Sequence, residues 1–303
     1  MDSKTLSNNS IQNDELDIVE IILETWKNKT FIILITSFFA ISSIFYSLSL
    51  NNVYKSSSLL RVYDSQSPSP LQALGSFGSS FLDKGFDTSV SQNALVIELV
   101  NSRDFFNFIM NKYNLMPDLM AIKGFDKETN KIIYDDNLYN VEKNIWLEGV
   151  EPPSKQETYE AYLSLISVFN TDNGFLELSF MHESPIFAKN ILDTIIDEIN
   201  TLQSEKDRKE TLKAIEYLNN QAQMTGLEGV RQTIYLILES QMEKLMTANI
   251  KSDYLIEVID APFIPEKKFK PSRALIVILA TFFGLILSIV FVFFLKVGIK
   301  KIN

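Results

Sequence analysis

The chain has 303 residues, 28 of them basic and 38 acidic, for a net charge of −10 at neutral pH; it carries one histidine and no cysteine. That balance excludes the basic footprint that nucleic acid requires. The missing cysteines exclude disulfides and thiolate metal sites.

Asp14–Lys29, DELDIVEIILETWKNK, reads as an amphipathic helix, with Ile18, Ile21, Ile22 and Thr25 at helical spacing and Asp14 as a candidate N-cap. Its acids come early and its lysines late, as the helix dipole prefers. The run that follows, Phe31–Leu50, has no charged side chain, and neither does Ala274–Leu295 near the other end. Each is long enough to cross the ~30 Å hydrocarbon layer as a helix. A cleaved signal peptide is the competing reading of the first run. The residues before it are rich in acids, a poor n-region, so a retained anchor is expected. Lysine and arginine are balanced on the two sides of the spans, so the positive-inside rule gives no orientation. The expected layout is a tail over residues 1–29, a span over 30–50, a water-soluble domain over 51–273, a second span over 274–295 and a short tail over 296–303. A tail that short is not expected to hold an output domain.

Within the domain, Val53–Tyr63 is expected to be a strand, and Ser65–Gly85, with Pro68, Pro70, Gly75 and Gly78, a loop. Gly75-x-x-Gly78 lacks the Lys-Ser/Thr of a phosphate loop. Two helical stretches within Ser91–Tyr113 part near Asn101-Ser102, where Ser102 is a candidate cap. Residues 117–153 lack periodicity and should hold short elements at most. Ser154–Leu165 is expected to be a helix, with Ser154 and Glu157 as a capping box. A hairpin should follow around Asp172-Asn173-Gly174.

From Ser184-Pro185, a cap and a first helical residue, a long helix begins. Ala188, Leu192, Ile195, Ile199 and Leu202 step by four and three, a heptad seam of about two repeats. Continuous to residue 222, the helix would run about 57 Å at ~1.5 Å per residue, too long for a compact domain of this size. A return helix over Val230–Ala248 completes a helical hairpin, about 185–249, and Tyr254–Ile259 alternates as a strand that should pair with the one at 53–63. Pro262, Pro265 and Pro271 then forbid a helix and make a stiff, extended lead into the second span. Inside that span Ala280, Gly284 and Ser288 lie four apart, a pattern that permits close helix approach.

In this order the blocks resemble the polysaccharide co-polymerases, the Wzz-type chain-length determinants. The likeness rests on NDELDIVEIILETWKNK before the first span, VYKSSSLLRV, LQALGSFGSSF, LVIELVNSRDFFNFIMNKYNLMP, SPIFAKNILDTIIDEIN, RQTIYLILESQMEKLMTAN and IDAPFIPEKKFKPSRALIVILA. The family's proline-rich lead falls on Pro262, Pro265 and Pro271, and its small-residue face on Gly284. The resemblance implies an α+β domain, a mixed sheet base with a helical hairpin arm, held by two transmembrane helices. It further implies cytoplasmic termini, a periplasmic domain, and a ring-like homo-oligomer in the inner membrane. Such a protein has no catalysis or cofactor of its own and sets the length of a glycan, such as lipopolysaccharide O-antigen, made by a separate Wzy-type polymerase. Lipid-linked glycan is a further expected partner.

The short hairpin and residues 117–153 depart from the family pattern, and no Walker motif follows the second span. The alternative is a structural adaptor in a capsule or exopolysaccharide export complex. Copies are expected to meet through their hairpins and spans, along Leu192, Ile195 and Ile199, with Pro271 and Gly284 coupling to the polymerase. Chemistry of the chain's own finds little support: His182 reads as a surface turn residue, and Asp135-Asp136 as solvated surface.

Overall fold

A computed structural model describes residues 26–63 and 91–300. Most of the expected amphipathic helix at Asp14–Lys29 and all of the expected loop Ser65–Gly85 lie outside the described residues. The chain divides into two compact units, one formed by its two end segments up to Asn51 and from Pro271, the other by Asn52–Lys270.

The first apolar run is α1 (Lys29–Ser49), followed by β1 (Tyr54–Val62). Two helices, α2 (Gln92–Asn101) and α3 (Arg103–Tyr113), meet at Ser102, whose extended backbone breaks the first and whose Oγ accepts from Phe105 N–H at 3.2 Å to cap the second. Asn114, in the left-handed region at φ 50°, closes α3; asparagine tolerates that conformation better than most residues. The short α4 (Met116–Met120) leads into two small hairpins, β2 (Ile122–Asp126) with β3 (Lys131–Tyr134) and β4 (Tyr139–Asn140) with β5 (Ile145–Trp146). Then comes α5 (Lys155–Leu165), whose capping box is complete: Glu157 N–H donates to Ser154 Oγ, and Ser154 N–H to the Glu157 carboxylate.

The sheet hairpin is β6 (Ile166–Asn170) and β7 (Leu176–His182). Gly174 supplies the positive φ, 82°, that its turn needs. After Ser184, whose Oγ caps Phe187 N–H, α6 (Pro185–Met224) runs unbroken for 40 residues, about 60 Å. The return helix is α7 (Glu228–Ile250); β8 (Ile256–Asp260) and, after the proline-rich lead, α8 (Arg273–Lys300) complete the chain.

The four-stranded sheet has the order β6-β7-β1-β8, antiparallel throughout. Alternation places Leu60 of β1 beside Leu176, Leu178 and Phe180 of β7 on one face. That face packs with α6, through Leu192, Ile195 and Ile199, and with Val96, Val100, Phe106, Ile109 and Tyr162 from the smaller helices. Burial of each large side chain in this core stabilises by roughly 1.5–3 kcal/mol. The buried Tyr162 hydroxyl donates to Val100 O at 3.0 Å and that of Tyr159 to Asn101 O at 2.5 Å, satisfying carbonyls that the end of α2 leaves open.

A second bond set fixes β8. Asn200, buried halfway along α6, donates from its amide to Ile256 O at 2.9 Å and accepts from Leu255 and Ile256 N–H at 2.9 and 2.8 Å. Asn200→Ala leaves those backbone groups buried and unpaired, at about 1–3 kcal/mol each. Thermal unfolding of the detergent-solubilised variant should report a loss of at least ~3 kcal/mol; a near-unchanged melting temperature would remove this role.

Candidate functional site

Past Asp260 the chain keeps running beside β1, but by other means than a ladder. Pro262 and Pro265 are buried and have no N–H to donate. Side chains of β1 take over: Ser58 Oγ donates to Asp260 O at 2.6 Å and Ser56 Oγ to Phe263 O at 2.7 Å. Backbone pairing resumes at Val53, whose N–H donates to Lys270 O at 2.9 Å and whose carbonyl accepts from Phe269 N–H at 2.8 Å. The lead is therefore non-helical and tethered at both ends. Pro271 lies just beyond it, half-buried, in the unit of the apolar helices. Serines inside a strand gave the sequence reading no hint of this second duty.

Both apolar helices are long and hydrophobic enough to cross a membrane, over Lys29–Ser49 and Arg273–Phe294. They pack on each other, and Gly284 marks a close approach: a Cβ there would lie 2.6 Å from Phe39 Cβ. Ser288, one turn on, is fully buried, and Phe31 stacks on Phe291 with centroids 5.8 Å apart. Arg273 Nε donates to Ser47 O at 3.1 Å and Nη2 to Leu50 O at 3.5 Å. A cation thus meets the open carbonyls at the negative end of the α1 dipole.

Leu192, Ile195 and Ile199 are each fully buried in the protomer's own core, against the sheet. The expectation that this seam faces a second copy is corrected: its heptad steps match the helix to the sheet face, and no surface of the three remains for a partner. Further out, α6 and α7 share a thin seam of Ile215, Ala222, Ile234 and Leu238.

Two buried acids of α6 were not singled out in the sequence, and each holds a lysine and a tyrosine. Glu198 accepts from Lys112 Nζ at 2.5 Å and from the Tyr113 hydroxyl. Asp207 accepts from the Tyr254 hydroxyl at 2.6 Å and faces Lys244 Nζ at 3.5 Å. Burial, and then the Asp207 carboxylate, push the Tyr254 hydroxyl well above its ordinary range.

His182 is not a surface turn residue: it is 3% exposed. Its Nε2–H donates to Asp118 O at 2.9 Å, and its Nδ1 accepts from Ser184 N–H at 3.0 Å, next to the α6 cap. The reason is its register: opposite Tyr54, it ends the inward-facing row of β7. Burial pushes the imidazole down to about 4. Asp135 accepts from Asn137 N–H at 2.9 Å, a turn bond that holds its carboxyl below the usual range. Among the described residues no group of three or more acids and histidines is placed to hold a metal.

Two family models match the chain. "Chain length determinant protein" covers residues 14–112, and "G-rich domain on putative tyrosine kinase" covers residues 228–297. Among solved structures, a "full-length bacterial polysaccharide co-polymerase" aligns over 95% of this chain and 99% of its own, at 13% identity and a TM-score of 0.38. No curated protein is significantly similar.

A neutral buried histidine contributes stability that is fully present above its unfolded value of 6.5 and lost as the pH falls through its folded value of about 4. At about 1.4 kcal/mol per pKa unit, the loss is of order ~3 kcal/mol. Melting temperature between pH 7.5 and 4 should fall more steeply for the native chain than for His182→Gln; parallel curves would refute this. Gly284→Ala should destabilise the helix pair by about 1–3 kcal/mol through its clash with Phe39. In a double-mutant cycle Phe39→Ala should relieve part of that loss, and strict additivity would deny the contact.

Proposed function

Because this chain belongs to the chain length determinant family, the Wzz-type polysaccharide co-polymerases, we propose that it sets the length of a lipopolysaccharide O-antigen or related glycan without catalysing a reaction itself. In this reading α1 and α8 anchor it in the inner membrane, with cytoplasmic termini and Asn52–Lys270 in the periplasm. It acts as a homo-oligomer beside a separate Wzy-type polymerase that extends a lipid-linked glycan, and it needs no cofactor.

One observation carries the self-assembly at the centre of this proposal. Tyr235, Met242, Met246 and Ile250 step by seven, four and four along α7, so they form a ridge to one side of the inner seam. All four are exposed in the protomer, Met246 to 60%. Among the described residues the two-helix arm has no third element over such a ridge, and water contact with apolar surface costs ~25 cal/mol per Å². Packing against the arm of a neighbouring copy removes that cost. This ridge, rather than Leu192, Ile195 and Ile199, is the surface on which copies meet. Glutamate at its centre would bury an unpaired charge in the contact.

Deleting the gene should replace a narrow glycan size distribution on a gel with a random one, and the native chain should restore it. A chain carrying Met242→Glu and Met246→Glu should still reach the membrane, yet lose cross-linked oligomers and fail to restore the distribution. An unchanged distribution in the deletion refutes length control. Complete loss of surface polymer would instead support the export-adaptor reading.

A further inference from the structure

Ile264 and Phe269 are 52% and 49% exposed, large apolar side chains displayed on a backbone that is not free to collapse over them. Between the two tether points, Phe263 opposite Ser56 and Phe269 opposite Val53, five residues of the lead accompany two residues of β1, so the chain bulges outward. That bulge carries Lys267 and Lys268, both exposed, and exposed Lys270 follows Phe269, whose ring holds the Lys270 and Lys55 ammonium groups at 5.7 and 5.6 Å. Glu266 is the single acid in residues 261–270. The whole chain is at −10, so this short stretch has the opposite sign to the chain as a whole.

The sequence distance to the membrane helix is short. Lys270 precedes Arg273, the first residue of α8, by three positions, which the chain can span in at most ~11 Å. The headgroup layer beyond the hydrocarbon is about 5–8 Å deep. Aromatic and aliphatic side chains interleaved with lysines at that depth match its chemistry: an apolar boundary under a layer of phosphates. A lysine near an anionic bilayer surface favours association by roughly fivefold, within a screening length of ~8 Å.

We propose that the bulge Ile264–Lys270 is an interfacial anchor, in which Ile264 and Phe269 enter the headgroup layer and Lys267, Lys268 and Lys270 pair with the phosphates of anionic glycerophospholipids. The proposal rests on the reading that α1 and α8 span the bilayer. The anchor holds the lead, and through Val53 the start of β1, at the bilayer surface.

The chain has no native cysteine, so a single introduced thiol carries a unique environment-sensitive fluorophore. The full-length protein with Ile264→Cys is labelled and placed in nanodiscs of phosphatidylcholine, with or without phosphatidylglycerol, containing a lipid spin-labelled near the headgroup. Ile278→Cys within α8 reports spanning, and Leu227→Cys on the distal hairpin reports background. The expected result is loss of most of the Ile264→Cys fluorescence in phosphatidylglycerol discs, with a blue shift. Recovery should follow when Lys267, Lys268 and Lys270 are all changed to Gln, while Leu227→Cys stays bright. Quenching at Ile278→Cys but not at Ile264→Cys overturns the anchor and leaves the spanning reading intact. Equal quenching in phosphatidylcholine alone, insensitive to the three glutamines, overturns the lysine–phosphate pairing. No quenching at Ile278→Cys overturns the spanning reading and the anchor with it.

Discussion

A single carboxamide decides where the chain returns after its long excursion. Asn200 offers a donor and an acceptor from the middle of α6, and β8 takes up both with the backbone groups of Leu255 and Ile256. In a buried setting these bonds are costly to lose and specific in register. With β8 fixed beside β1, Asp260 arrives opposite Leu59 and accepts from Ser58 Oγ, and the lead falls along Ser56 and Val53 as far as Lys270. Asp207, two turns further along α6, repeats the arrangement by holding Tyr254 and Lys244. The start of the hairpin and the return strand are thereby one polar assembly built on a helix face.

Local chemistry made much of the secondary structure legible. Ser102, Ser154 and Ser184 cap the helices they were expected to cap, Gly174 makes its turn, and the continuous apolar runs became the two membrane-length helices. These features depend on neighbours a few residues away, which the sequence displays. The same is true of the absence of helix in the lead, since proline has that consequence in any tertiary setting, whereas the bulge between Phe263 and Phe269 departs from the extended course expected.

What could not be read depends on partners brought from far along the chain. The heptad steps of Leu192, Ile195 and Ile199 fit a helix against a helix and a helix against a sheet equally well; only the presence of Leu176, Leu178 and Phe180 decides between them. Asn200, Glu198 and Asp207 look like ordinary polar helix residues until their partners at Ile256, Lys112 and Tyr254 are in place. Its place at a strand end makes His182 look like a surface turn residue, whereas its inward register makes it a buried donor and acceptor. Gly284 was visible as a small residue, but not the Phe39 ring that requires it to be small.

The unbroken course of α6 constrains how such a protein can change size. Its first half is locked to the sheet and its second half to α7, so the azimuth of every distal side chain is set by residue count from Ile199. One inserted residue turns the distal half by ~100° and destroys its match with α7, whereas seven turn it by only ~20° and add about 10 Å. A taller or shorter arm is therefore reached in steps of seven or eleven residues, matched in both α6 and α7, while insertions that leave the distal half far out of phase are closed to this architecture.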